Sequence, residues 1–262
     1  MFYPTDAQFG TVKAASVPNG GKFLALVGSR FAYETTGEDN QEIIGGRYQV
    51  DATTGLYKIH SSTSEVVGNR EPKFIGGLNN TFHIKDLTLS FLLDFRIGGD
   101  VYNGTEYYMV SNGLSKRTLE NGREYVTVTG VDSKTGADIN QTYYADQSYD
   151  INGVTYSGKA MIKKYWDNYC SNSYNFITSV NWLKLRSLSV SYDFTKLIKR
   201  QNVIKRLSVT ATGTNLFTWT NYKGMDPEVS TAGGTGGSGA TGIDYCSVPS
   251  TSSFSFGVNL TF

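Results

Sequence analysis

From Leu87 to Arg96 the chain alternates without a break, with Leu87, Leu89, Phe91, Leu93 and Phe95 on one side and Thr88, Ser90, Leu92, Asp94 and Arg96 on the other. A period of two sends successive side chains to opposite faces, so this segment is a strand with one apolar and one charge-bearing face. Its length of about ten residues matches a tilted membrane-crossing strand of roughly 9–11 residues better than the soluble norm of roughly 5–6. The pattern returns at the end of the chain, where Phe254, Phe256, Val258, Leu260 and Phe262 alternate with Ser253, Ser255, Gly257, Asn259 and Thr261. The last residues of a soluble domain usually fray, so a strand running into Phe262 implies that this terminus is used.

Three more strands complete the set. Phe74 to Ile84 precedes the first, with Lys85-Asp86 as the tight turn of a hairpin. Leu188, Val190, Tyr192 and Phe194 alternate with Ser187, Ser189, Ser191 and Asp193, while Trp182 to Arg186 runs in the other phase, which predicts a bulge near Arg186. Leu207, Val209, Ala211, Gly213, Phe217 and Trp219 then stand opposite Ser208, Thr210, Thr212, Thr214 and Thr218. A face built of hydroxyls packs poorly as a dry core and suits a water-filled lumen.

Between the strands lie long stretches read as irregular, 1–73, 98–178 and 220–251, the last with the glycine-rich run Gly233 to Gly242. Loops of that length are uncommon inside compact domains, whereas short turns on one side and long loops on the other are the barrel pattern. With the final strand ending at the periplasmic rim, 84–86 and 195–205 become periplasmic turns and every long stretch falls outside. Trp182, Tyr192, Phe194, Trp219 and Tyr222, near strand ends, are expected in an interfacial aromatic girdle.

Composition agrees with strands and turns: 18 Tyr, 14 Phe and 29 Gly against 5 Pro. The apolar run Phe23 to Val27 is far short of the roughly 20 residues of a membrane helix. The N-terminal MFYPTDAQFG lacks the basic stretch and apolar core of a secretory leader, which points to a cytoplasmic protein or to a missing front end. A net charge of +1 suggests no nucleic-acid partner.

Few residues carry chemistry. Cys170 and Cys246 lack metal spacing, but both fall in outer loops on the oxidising side, where a disulfide between them and two unpaired thiols are equally open. In Met225-Asp226-Pro227-Glu228 two carboxylates one residue apart could bind a cation or a sugar, although a structural turn at Pro227 is the stronger expectation. Asp132, Asp138 and Asn140 lack the ligand spacing of a calcium loop. His60 and His83 are far apart and His83 falls on the lumen face; with no GxSxG elbow and no Walker sequence, an enzyme is not expected, nor any cofactor. Lys196, Lys199, Arg200, Lys205 and Arg206 read as a solvated basic turn beside lipid headgroups.

Five segments carry a family likeness: VVGNREPKFIGGLNNTFHIKDLTLSFLLDFRIGGDVYN (66–103), NGLSKRTLENGRE (112–124), VNWLKLRSLSVSYDF (180–194), TGTNLFTWTNYKGMDPE (212–228) and VPSTSSFSFGVNLTF (248–262). In content and order they resemble the barrel of the SusC/RagA family of TonB-dependent outer-membrane transporters of Bacteroidetes. The resemblance implies an all-β fold, an antiparallel transmembrane β-barrel of which this is the C-terminal portion only, about five long strands with long extracellular loops out of about 22 strands. Residues 1–73 would be an extracellular loop region and 74–262 the C-terminal strands and loops, with signal peptide, TonB box and plug absent from this sequence. The implied function is active import of glycans, peptides or other oligomeric nutrients at the bacterial outer membrane. Implied partners are the lipid bilayer, a SusD-like surface lipoprotein, the TonB complex through the plug, and the barrel-assembly machinery. That machinery would read Phe254, Phe256, Val258, Leu260 and Phe262 as a sorting signal through edge pairing.

A second reading is a soluble secreted β-sandwich that binds carbohydrate through Tyr and Trp. It predicts that Phe91, Leu93, Phe256 and Leu260 are buried.

Overall fold

A computed structural model describes residues 5–9, 12–15, 24–36, 41–61, 65–198, 203–228, 242–246 and 248–262. The chain divides into two compact units: residues 71–99, 179–228 and 248–262 form one, and residues 1–70, 100–178 and 229–247 the other.

The first unit is a five-stranded sheet whose strands are numbered here among themselves: β1 (Phe74–Ile84), β2 (Leu87–Ile97), β3 (Trp182–Asp193), β4 (Arg206–Thr220) and β5 (Ser253–Thr261). They pair in chain order, every neighbour antiparallel, as a meander with β1 and β5 at the edges. The expected hairpin is present: Ile84 pairs with Leu87, and Lys85 turns the chain at φ 56°. The expected bulge is present too, since Leu185 and Ser187 face the adjacent residues Leu93 and Leu92, leaving Arg186 without a partner on β2. On the other side Asn215 and Leu216 bulge from β4 against Arg186, with Asn215 at φ 50°. The sheet does not close on itself. In the basic connection, Thr195–Ile198 forms one short helical turn and Lys196 reaches Asp86 of the hairpin at 2.6 Å, which ties the two short connections together. Lys199 and Arg200 lie outside the described residues.

Alternation gives the sheet two unlike faces. On one, Phe82 pairs with Leu89, Leu188 with Phe91, Val190 with Leu89 and Ala211 with Phe256. The other carries hydroxyl pairs across neighbouring strands: Thr81 with Ser90 at 3.0 Å, Ser189 with Thr212 at 2.9 Å, Thr210 with Ser191 at 2.8 Å and Thr214 with Ser253 at 2.7 Å. His83 stands on this polar face with Nδ1 3.0 Å from Thr88 Oγ1, as expected.

The stretch 98–178 is not irregular, a correction to the sequence reading. It supplies the longest stretch of the second unit, including helices α1 (Gly104–Ser111) and α2 (Gly158–Cys170) and the antiparallel pair Tyr125–Asp132 with Asp138–Tyr144. Asn103 Oδ1 accepts from Glu106 N at 2.8 Å and Ser157 Oγ from Ala160 N at 3.3 Å, so each helix begins on a side-chain cap. Two small cores form around them. Leu26, Val67, Tyr102, Val110, Cys170, Phe176 and Ile243 make one; Val50, Leu56, Val126, Val128, Tyr143, Met161 and Ile162 make the other. Gly158 is required where it stands, because a Cβ there would lie 1.7 Å from Tyr144 O.

In this structure both cysteines are free thiols, Cys170 buried and Cys246 exposed. Cys170 faces inward from the last turn of α2 and packs as a small apolar side chain. No helix among the described residues is long and apolar enough to cross a membrane, which says nothing of crossing by strands.

Candidate functional site

The bulge at Arg186 concentrates charge on the hydroxyl face. With one extra residue in β3, both Lys184 and Arg186 reach the side that carries Asp94. Arg186 donates from Nε and Nη2 to Asp94 Oδ2 at 3.1 and 2.9 Å. Beyond β4 the chain folds back over this face through Met225-Asp226-Pro227-Glu228. Lys184 Nζ then donates to Asp226 Oδ1 at 2.8 Å and to Glu228 Oε2 at 2.6 Å, while Arg186 Nη2 donates to Glu228 Oε1.

The lysine side chain is only 2% exposed, and Asp226 is buried as well. An ammonium out of water is tolerated because two carboxylates and an aromatic face surround it. The Trp182 ring centroid is 5.8 Å from Lys184 Nζ and 5.3 Å from Arg186 Cζ, within cation–π range. Asp226 also accepts from Glu228 N at 3.0 Å across the Pro227 turn. Its Oδ2 accepts from Ser250 N and Oγ at 3.1 and 2.7 Å, which draws the approach to β5 into the same cluster.

Burial alone would push the Asp226 carboxyl up, but the hydrogen bonds from Lys184, Glu228 N and Ser250 outweigh it and hold the group well below its ordinary value. Glu228 is held down in the same way, burial being overcome by hydrogen bonds from Arg186 and Lys184. Three carboxylates face two cations, so the cluster carries one net negative charge. It fastens residues 226–228 and 250 to the polar face of the sheet. Every oxygen a cation or sugar would need at Asp226 and Glu228 already has a donor, which favours the structural turn over the ligand site.

The other sequence candidates do not converge. Asp132 Oδ1 accepts from Lys134 N and Thr135 N at 2.8 and 2.7 Å, capping a turn, while Asp138 pairs with Arg47 at 2.5 Å and Asn140 faces Thr129 in the ladder. His60 lies between Glu42 and Glu65 at 3.6 and 3.5 Å, with Arg30 2.5 Å from Glu42. Among the described residues no group of three or more His, Cys, Asp and Glu side chains is placed so that it could hold a metal ion. Trp182 and Tyr222 are buried rather than placed in an exposed girdle, since the cluster claims the Trp182 ring; Trp219 and Tyr192 are exposed. Lys184 and Ser250 escaped the sequence reading, which placed Asp94 on a polar strand face and Arg186 at a bulge but joined neither to Asp226 and Glu228. Charged residues in a strand otherwise lined with serines were the available signal.

Phe254, Phe256, Val258 and Leu260 line the apolar face of the edge strand β5, all exposed, and Phe262 follows it, also exposed.

No family model matches the chain. Among curated proteins, TonB-dependent receptor P26 of Formosa agariphila is 26% identical over 260 residues, covering 94% of this chain and 23% of that protein. TonB-dependent receptor P39 of the same organism is 24% identical over 225 residues, covering 85% of this chain and 19% of its own length. The chain therefore spans under a quarter of the curated relatives it matches. Among solved structures, the RagAB peptide importer in its open-open state superposes with a TM-score of 0.50 at 17% identity, over 91% of this chain and 22% of that one. At that identity the likeness concerns the fold. The curated matches bear out the resemblance to TonB-dependent receptors that the sequence blocks carry, and the RagAB match agrees with it in fold.

Proposed function

We propose that this chain is the C-terminal wall, with outer loops, of a SusC/RagA-type TonB-dependent β-barrel that imports oligomeric nutrients, glycan or peptide, across the bacterial outer membrane. One observation carries the reading. The apolar face of the sheet is bare, with Phe254 71% and Phe256 81% exposed, while the opposite face is lined with hydroxyls and the charged cluster. Each such apolar side chain gains about 1.5–3 kcal/mol on leaving water. Lipid against that face and water against the other satisfy both, and barrel closure removes the unpaired edges of β1 and β5. A soluble sandwich would instead cover the apolar face with a second layer, and Phe256 and Leu260 are exposed where it predicts burial.

In this reading 1–73 belongs to the outer-loop region and 74–262 to the last strands and their loops. The outer segments meet the nutrient and a SusD-like lipoprotein. TonB acts through a plug supplied by the rest of the receptor. The aromatic stripe of β5, Phe254 to Phe262, addresses the chain to the barrel-assembly machinery, and its free edge is what the insertase pairs with.

The test places single cysteines in a full-length receptor that ends in this chain, with Cys246 replaced by serine, and attaches a polarity-sensitive dye in outer-membrane vesicles. A dye at Phe256→Cys should report a hydrocarbon environment and one at Ser255→Cys an aqueous one. An aqueous signal at both positions overturns the reading.

A further inference from the structure

The second unit contains a cleft of about 440 Å³, within the range of roughly 300–1,000 Å³ typical of small-molecule sites. Helix α2 forms one wall, presenting Lys159, Ile162, Lys163, Trp166 and Asp167, spaced so that they share a face. The end of α1 and the turn after it, Val110 to Gly113, form the other, with Thr118 and Arg123 closing the rim.

The charge here is unbalanced. Lys159, Lys163 and Arg123 line the cleft, and the carboxylate among them, Asp167, is engaged by Lys163 at 2.7 Å. Lys159 has no ion-pair partner among the described residues, so the lining carries two uncompensated positive charges. Arg123 is held in place by its acceptors: Nη2 donates to Gly113 O at 2.6 Å and Nε to Thr118 O at 3.3 Å, leaving Nη1 without an acceptor among the described residues. Its backbone sits at φ 64°, a left-handed conformation that is strained for a non-glycine residue and that gathers at functional sites. The floor is apolar, from Val110, Ile162 and the Trp166 ring.

We infer that this cleft binds an organic carboxylate with an apolar or aromatic body, the carboxylate on Arg123 Nη1, Lys159 and Lys163 and the body against Trp166 and Ile162. Bare inorganic anions would lack the second half of the contact. The inference is independent of transport, since binding is read without any translocation step, so its failure and failure of the proposed function are separable.

The experiment uses the whole chain in detergent micelles, with 4-phenylbutyrate as probe and its neutral amide and inorganic phosphate as comparators, followed by equilibrium dialysis and saturation-transfer NMR. Phenylbutyrate should bind and both comparators should be at least about tenfold weaker. Lys159→Gln and Arg123→Gln should each weaken it about fivefold at unchanged circular dichroism. Lys164→Gln, on the same helix but stacked over Tyr156 at 4.9 Å, should leave binding unchanged. Equal binding of the amide, equal binding of phosphate, or equal loss in Lys164→Gln would each overturn the assignment, as would no binding at all.

Discussion

Lys184 Nζ lies 2.8 Å from Asp226 Oδ1, joining a strand to a loop 42 residues further on, and the lysine side chain is 2% exposed. Burying an ammonium this deeply is stable only while its partners remain, because an uncompensated charge in a low-dielectric site costs far more than the pair contributes.

Replacing Lys184 with methionine should therefore destabilise the sheet unit by about 3 kcal/mol or more, as Asp226 and Glu228 would be left facing each other. Lys163→Met, at a solvated pair, should change stability by about 0.5 kcal/mol or less. Urea unfolding in detergent checks both; equal effects would mean that the buried pair carries no special weight.

The same cluster sets an acid limit. Asp226 and Glu228 are both held below their ordinary values in the folded chain. A depressed folded value means that the stabilisation is fully present above the unfolded value, about 4, and is lost as pH falls through the folded one. Thermal unfolding should be flat between about pH 7 and 5 and decline below about pH 4, and the double substitution Asp226→Asn with Glu228→Gln should flatten that decline. An unchanged acid limb in the double variant would place the sensitivity elsewhere.

The two thiols should differ sharply. Burial pushes the Cys170 thiol up to about 12 and withholds it from reagent, whereas Cys246 is exposed. Native chain should take up one maleimide, at Cys246, and denatured chain two. Uptake of none before reduction would reveal the disulfide that the structure leaves unformed.

The bare face predicts poor solubility. With Phe254, Phe256, Val258 and Phe262 exposed on an unpaired edge strand, the chain should sediment as large aggregates without detergent and disperse with it. A monomeric peak in plain buffer by analytical ultracentrifugation would contradict both this prediction and the lipid-facing role of the sheet.

The strands were legible because their signal is local. A period of two needs only neighbouring residues, so the five strands, the Lys85-Asp86 turn and the bulge at Arg186 could be read directly, and His83 could be assigned to the polar face. The same logic was available for Val126 and Val128 alternating with Thr127 and Thr129, and for Met161, Ile162, Tyr165, Trp166 and Tyr169 at helical spacing. Treating 98–178 as loop hid a folded unit whose signals were present.

What no local pattern contains is the meeting of distant segments. Lys184 reads as one cation in a strand until Asp226, Glu228 and Ser250 return to it, and Trp182 reads as a girdle residue until that return buries it. Cys170 and Cys246 shared a side of the topology, yet only packing decided that one thiol fills a core and the other faces water. The sequence by itself determined the two-faced strands, since alternation is a covalent property of an extended backbone. The tertiary structure alone decided which charges are buried together, because desolvation and pairing depend on chain segments that come close only once the whole has folded.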